Sequence, residues 1–296
     1  MPISSPAAQR RNPSASDSKS STWHGFQTRS MPEVPSWIET LGRFGHFAKG
    51  LVYFIIGFFA FKLAIGAGGE IAGARDAIRE IGQQPYGRVL LGLVTIGLLG
   101  YSVWRAVQAG KDTDGVGDGT KGVCKRIGYL VSGIAYLSLG GFAGSLALGW
   151  SSGAGGSQDG AASPLLDSTL GRIALAVAGV ITIAVALYFF YKAYRAKFMT
   201  EYDLSAMGET TRKLALHAGR TGISTRGIAF AIIGGFIVMS AIRGTSDGEI
   251  AGMSDALAAI AAQTYGKILI GITGFGLMCY AVHMLLMGRY RRFNVK

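Results

Sequence analysis

The side chains of this chain best suited to chemistry are basic, and they recur at fixed places. Arg43, Arg126 and Arg220 each stand two residues before a glycine at the head of an apolar stretch. Six residues further on, Lys49 and Arg226 occupy matched positions, with Ser132 in the remaining copy. A second set, Arg88, Arg172 and Lys267, heads the intervening apolar stretches. Brought together, such side chains bind anions, guanidinium as a planar fork of donors and ammonium as a compact charge. The plainer reading is snorkelling, in which long basic chains near a helix end reach the headgroups and fix topology. The second set fits that reading less well, because its side of the chain is otherwise almost free of Lys and Arg. Asp76, Asp167 and Asp255 lie within reach of it in sequence, so salt bridges are its structural alternative.

Other chemistry finds little support. Lys62 and Arg105, near span ends, read as snorkelling residues. His46 and His283 lie near helix ends without carboxylate partners, weak grounds for a metal or a proton relay. Cys124 and Cys279 belong to no CxxC or Cys/His cluster and read as small buried hydrophobes. No Asp or Glu sits in the centre of an apolar stretch, which argues against an ordinary proton-coupled carrier. There is no HExxH, no P-loop and no nucleophile with a base at recognisable spacing. The sequence therefore predicts no enzyme, no cofactor and no metal.

The elements that would position these residues are membrane spans. Of 296 residues 49% are hydrophobic and 16% charged, against about 25% charged in soluble domains. Six stretches reach the length of about 20 residues that a bilayer requires: Phe44–Ile65, Val89–Val107, Ile127–Trp150, Ile173–Tyr191, Gly222–Ile242 and Ile268–Met287. Lys and Arg in the tail and in the connections on its side number nineteen, against three on the other side. The positive-inside rule then places both termini in the cytoplasm. The net charge of +12 follows from this topology, so no nucleic-acid partner is expected. Residues 1–40, rich in Ser, Pro and Arg and without an apolar core, read as a disordered cytoplasmic tail rather than a secretory signal.

Self-comparison reveals three copies of one hairpin. The odd spans share R-x-G-x4-G-x6-G: Arg43, Gly45, Gly50, Gly57; Arg126, Gly128, Gly133, Gly140; Arg220, Gly222, Gly227, Gly234. Ala64, Ala147 and Ala241 follow seven residues later, and Tyr53, Tyr136 and Phe230 stand three after the second glycine. The even spans open on Tyr86-Gly87-Arg88, Leu170-Gly171-Arg172 and Tyr265-Gly266-Lys267. Copies one and three also share Gly97/Gly276 and Tyr101/Tyr280, where copy two has Ile181 and Val185. The predicted organisation is repeat 1 at 41–112, a linker at 113–123, repeat 2 at 124–198, a linker at 199–215, and repeat 3 with a basic end at 216–296.

Residues seven apart share a helix face, so Gly50, Gly57 and Ala64 form a stripe of small residues. Gly133, Gly140 and Ala147, and Gly227, Gly234 and Ala241, repeat it. In lipid, helices associate through such close backbone approach. Phe59, Phe142 and Phe236, nine residues beyond the first stripe glycine, point to lipid or to another hairpin. Direct two-span repeats share one orientation about an axis along the membrane normal. The expected fold is an all-α membrane protein, a pseudo-threefold bundle of six transmembrane helices. Two short interfacial helices should lie on the outer side, one with Asp76 near its start and one capped by Ser254 or Asp255. The middle copy has a loop in that place.

Three tandem two-helix repeats, the R-x-G-x4-G start and the element Pro85-Tyr86-Gly87-Arg88 resemble the bacterial family of unknown function known as DUF1206. The resemblance covers about residues 41 to 293. It implies a multi-pass protein of the bacterial plasma membrane without an assigned activity. Repeat 2 departs from the pattern, with Pro164 seven residues before Gly171 instead of two. Two functional readings follow. The first is a non-enzymatic structural or accessory protein, with the bilayer and a membrane-protein partner or a second copy as its company. The alternative is a small conduit or binding site for an anion or amphiphile along the pseudo-threefold axis. Whether the basic residues face that axis or the headgroups decides between them.

Overall fold

The computed structural model describes residues 36–69, 73–111, 113, 119–150, 168–243 and 253–292. The described residues form eight α-helices: α1 Ser36–Ala64, α2 Ala74–Gln83, α3 Gly87–Lys111, α4 Thr120–Ala147, α5 Thr169–Tyr194, α6 Glu209–Arg243, α7 Met253–Ala261 and α8 Gly266–Tyr290. A short 3-10 turn, Lys197–Glu201, follows α5. Six of the helices, α1, α3, α4, α5, α6 and α8, are long and apolar enough to cross a membrane. They coincide with the six predicted spans but begin earlier. Helix already starts at Ser36, inside the stretch read as a tail, and at Thr120 and Glu209, inside both stretches read as linkers. Residues 1–35 and the middle-copy loop at 151–167 lie outside the described residues.

The small-residue stripes decide which helices meet. A Cβ on Gly57 would lie 2.6 Å from the Gly274 carbonyl oxygen of α8, and one on Gly274 2.7 Å from the Gly57 oxygen, so these backbones touch. Gly133 and Gly140 receive Ser102, Arg105 and Leu99 of α3, and Gly227 and Gly234 receive Ala186, Phe190, Ile183 and Gly179 of α5. Each odd span thus packs on the even span of the preceding repeat: α4 on α3, α6 on α5, and α1 on α8, which closes the cycle. The pseudo-threefold relation holds for these three contacts.

It fails within the repeats. In repeat 1, α1 and α3 pack through Gly45, whose Cβ would lie 2.4 Å from Tyr101 Cβ, and through Gly97 against Ala48. In repeat 3, α6 and α8 do the same through Gly222 on Tyr280 and Gly276 on Thr225. In repeat 2, Gly128 meets nothing within 4 Å, and Ile181 and Val185 replace the glycine and tyrosine. There α4 and α5 do not pack along each other, leaving a seam in the bundle. Burial follows: 17% of the α4 span and 11% of the α5 span is buried, against 44% for α1 and 50% for α8.

Short helices are present after spans one and five. Asp76 sits in the first turn of α2 and accepts from the Gly73 N–H at 2.9 Å. Ala77, Ile78 and Ile81 turn inward, and α2 leans on α1, α3 and α4, with Arg75 and Arg79 over the Phe142 ring. Phe142 therefore faces a neighbouring element, while Phe236 is exposed. The α7 helix begins at Met253, which places Ser254 and Asp255 inside its first turn instead of at the cap. Gly87 and Gly266 are needed where these helices abut the next span, since a Cβ would collide with the Gly82 and Ala261 backbones.

Candidate functional site

The repeated arginines join helix ends. At the face bearing the start of α1 and the end of α8 (the terminal face), Arg43 donates to the Gly288 and Arg289 carbonyls at 3.0 and 2.7 Å. It also pairs with Glu39 at 2.6 Å. Arg126 likewise donates to the Ala109 and Gly110 carbonyls at the end of α3. On the opposite face, Arg172 donates to the Ala241 and Ile242 carbonyls at the end of α6, at 3.1 and 3.0 Å. The last carbonyls of a helix lack intrahelical donors and carry the negative end of its dipole, so a cation there is doubly favourable. Arg220, Arg88 and Lys267 are exposed. Asp76 pairs with Arg79 at 2.7 Å, not with Arg88, and Asp167 and the Asp255 side chain lie outside the described residues. The second basic set is therefore not one convergent site. Arg172→Ala should lower stability by about 1–2 kcal/mol, read from melting in detergent, by leaving two carbonyls without their donor.

Lys49 and Arg226 behave differently. Lys49, 3% exposed, points into the bundle, where its Nζ donates to Tyr101 Oη at 3.1 Å. That nitrogen lies 4.7 Å from the Tyr101 and Tyr136 ring centres and 5.6 Å from that of Tyr280. Arg226 donates to Tyr280 Oη at 2.7 Å. Its guanidinium lies 4.6 Å from the Tyr280 ring, 5.0 Å from Phe189, 5.2 Å from Phe230 and 5.3 Å from Tyr53. All six spans contribute to this centre. The repeat explains why: the cation position and the aromatic one turn later both face inward, as do Tyr101 and Tyr280 on the even spans.

Arg105 is a third member, and reading it as snorkelling is corrected. Its guanidinium also donates to Tyr101 Oη, donates to Gln108 at 3.0 Å, and lies 4.9 and 5.0 Å from the Tyr101 and Tyr129 rings. Its position near the end of α3 suggested the headgroups, but α4 packs over it through Tyr129 and Gly133. Ser132, the third-copy partner of Lys49 and Arg226, is half-buried. Among the described residues no carboxylate pairs with Lys49, Arg105 or Arg226. The buried Nε–H groups of Arg105 and Arg226 have no acceptor among the described residues. The described residues hold no group of three His, Cys, Asp or Glu that could bind a metal.

Beneath this centre the terminal face is closed by the connection after α5. Ala196, at φ 49°, reverses the chain and lets Phe198, Met199 and Tyr202 insert as fully buried residues. Tyr202 Oη meets His283 Nδ1 at 2.7 Å, and His46 Nδ1 meets the Gly42 carbonyl at 2.6 Å, so both histidines are bonded within the core. Glu201 binds Lys192 at 2.6 Å and Arg291 at 3.2 Å, and backbone bonds tie this turn to the end of α8. No sequence motif marks this network. Burial raises the Glu201 pKa, but Lys192 and Arg291 outweigh it and hold the carboxyl well below its ordinary range. A depressed folded-state pKa contributes stability above the unfolded value and loses it as pH falls through the folded one. Glu201→Gln should therefore melt earlier at neutral pH, and its deficit against wild type should close only in strongly acid solution.

Three tandem regions, 44–112, 127–196 and 221–291, match the family model described as Domain of Unknown Function (DUF1206). The chain is 33% identical over 269 residues to the uncharacterized protein YxxB of Bacillus subtilis (strain 168), covering 91% of this chain and 97% of the relative. No solved structure matches it.

Proposed function

The chain belongs to the DUF1206 family, described as a domain of unknown function, and for this member, with its six helices long and apolar enough to cross a membrane, we propose an anion-binding centre inside the bundle. The carrying observation is the convergence of buried Lys49 and half-buried Arg105 and Arg226 on shared aromatic rings, with no carboxylate paired to any of them among the described residues. Burying an ion costs several kcal/mol even after relaxation, and a cation–π contact returns about 0.5–2 kcal/mol. Aromatic faces therefore hold the three cations oriented but supply no formal negative charge of their own. An anion completes the balance. Both unpaired guanidinium Nε–H groups and the remaining ammonium protons of Lys49 are donors for it. The shared chemistry is that of a phosphate or carboxylate, free or carried on an amphiphile, and the activity is that of a conduit or binding site without bond-making chemistry. The charge asymmetry of the connections supports the bacterial plasma membrane with the terminal face in the cytoplasm.

The structural or accessory reading keeps one specific support: Arg43, Arg126 and Arg172 are spent on helix ends. Reconstituted liposomes separate the two. Release of inorganic phosphate, or transbilayer movement of a labelled phosphatidic acid, should exceed that of empty liposomes. It should fall at least about tenfold in Lys49→Ala/Arg226→Ala, the loss of about 1.4 kcal/mol or more. Rates equal to those of empty liposomes for both probes favour the accessory reading.

A further inference from the structure

The seam in repeat 2 opens the same centre sideways. In repeats 1 and 3 one helix face on the odd span, around Gly45 and Ala48 or Gly222 and Thr225, is sealed by the even span of its own repeat. The matched positions of repeat 2 are Cys124, Ile127, Gly128 and Val131 on α4, and Ile181, Ala184 and Val185 on α5. All but the half-buried Val185 are exposed, with Ile127 at 56%, Val131 at 61% and Ile181 at 58%. Every one is apolar or small. Just inside, the two helices flanking the seam supply the walls of the cation centre, Tyr129 and Tyr136 from α4 and Phe189 from α5. An exposed apolar slot between α4 and α5 thus flanks the positive cluster.

We infer that the ligand is an anionic lipid-like amphiphile that enters laterally through the α4–α5 seam, its chain along the slot and its anionic head on Lys49, Arg105 and Arg226. The inference rests on the anion-binding reading above. It commits to the lipid source because a water-soluble anion has no use for an apolar side entrance, whereas an acyl chain occupies one at no cost in hydrocarbon exposure. The closed terminal face, plugged by Phe198, Met199 and Tyr202, points the same way.

The test is thermal melting of the full-length protein in a neutral detergent with three probes: inorganic phosphate, phosphatidic acid and phosphatidylcholine. Wild type should be stabilised by phosphatidic acid and not by phosphatidylcholine, with Lys49→Ala/Arg226→Ala losing the response. Gly128→Trp places bulk in the slot, where nothing lies within 4 Å, and Ile181→Gly/Val185→Tyr rebuilds the pair that seals repeats 1 and 3. Either should raise the half-maximal phosphatidic acid concentration by roughly tenfold, about 1.4 kcal/mol, while leaving the phosphate response unchanged. Stabilisation by phosphate alone, or a phosphatidic acid response untouched by both seam variants, overturns lateral entry but not the site. No response to either anion, or one indifferent to Lys49 and Arg226, overturns the site itself.

Discussion

Lys49→Met raises the melting temperature of the unliganded protein while removing its response to an anion. Lys49 is 3% exposed, makes one hydrogen bond, to Tyr101, and lies among three tyrosine rings. Its charge is out of water, with Arg105 and Arg226 sharing its aromatic neighbours and no acid paired with it among the described residues. Replacing buried ionic groups by apolar side chains of similar volume is often neutral or stabilising by about 1–4 kcal/mol. Methionine preserves the length and flexibility of the lysine stem and packs well on aromatic rings. If Lys49 were instead a structural strut for the tyrosines, the same substitution would lower the melting temperature. The opposite sign separates a residue kept for a ligand from one kept for the fold, a known form of trade between stability and function. Melting of purified wild type and Lys49→Met in the same neutral detergent, without added anion, reads the sign directly.

The second large effect comes from one motif position in three copies. Gly45→Ala and Gly222→Ala abolish the folded protein or destabilise it by at least about 3 kcal/mol, while Gly128→Ala is silent or slightly stabilising. A Cβ at Gly45 would lie 2.7 Å from the Tyr101 Cα and N, and one at Gly222 2.4 Å from the Tyr280 Cα and N. Backbone cannot step aside as a flexible side chain does, so the hairpin must separate. Gly128 has open space, and there alanine gains about 0.5–1 kcal/mol of helix propensity. Yield of monodisperse protein and melting temperature for the three single variants test the seam as well. Equal damage in all three would mean that α4 and α5 pack like the other hairpins.

The fold was legible in the sequence to the extent that it is written in local periods. Hydropathy marks a span without reference to its neighbours, and a stripe such as Gly50, Gly57 and Ala64 marks a packing face. The stripe does not say which helix it meets, and its partner turned out to be the even span of the preceding repeat. The arginines show the same limit. Arg43 caps carbonyls 245 residues away, so headgroup and helix end look alike until the fold brings them together. For Lys49 and Arg226 the signal was present, since each is followed one turn later by an aromatic, Tyr53 or Phe230, in the repeat. Arg105 belongs to no repeated position and lies near a span end, so nothing in the repeat marks its place in this centre. Ile181 and Val185, standing for a glycine and a tyrosine, already marked the missing contact of repeat 2. Its consequence, an opening beside the cations, depends on where the other five spans lie. Glu201 and its two cations carry no sequence signature because their meeting depends on the turn at Ala196.

Calorimetric titration of the purified protein with inorganic phosphate and with phosphatidic acid, in neutral detergent and stripped of lipid, tests the central claim most directly. The account predicts saturable binding of one phosphate per chain, lost in Lys49→Ala/Arg226→Ala and retained in Gly128→Ala and Arg172→Ala, whose side chains lie outside the centre. Saturable binding that survives in the double variant, or binding of neither phosphate nor phosphatidic acid in the wild type, would contradict it.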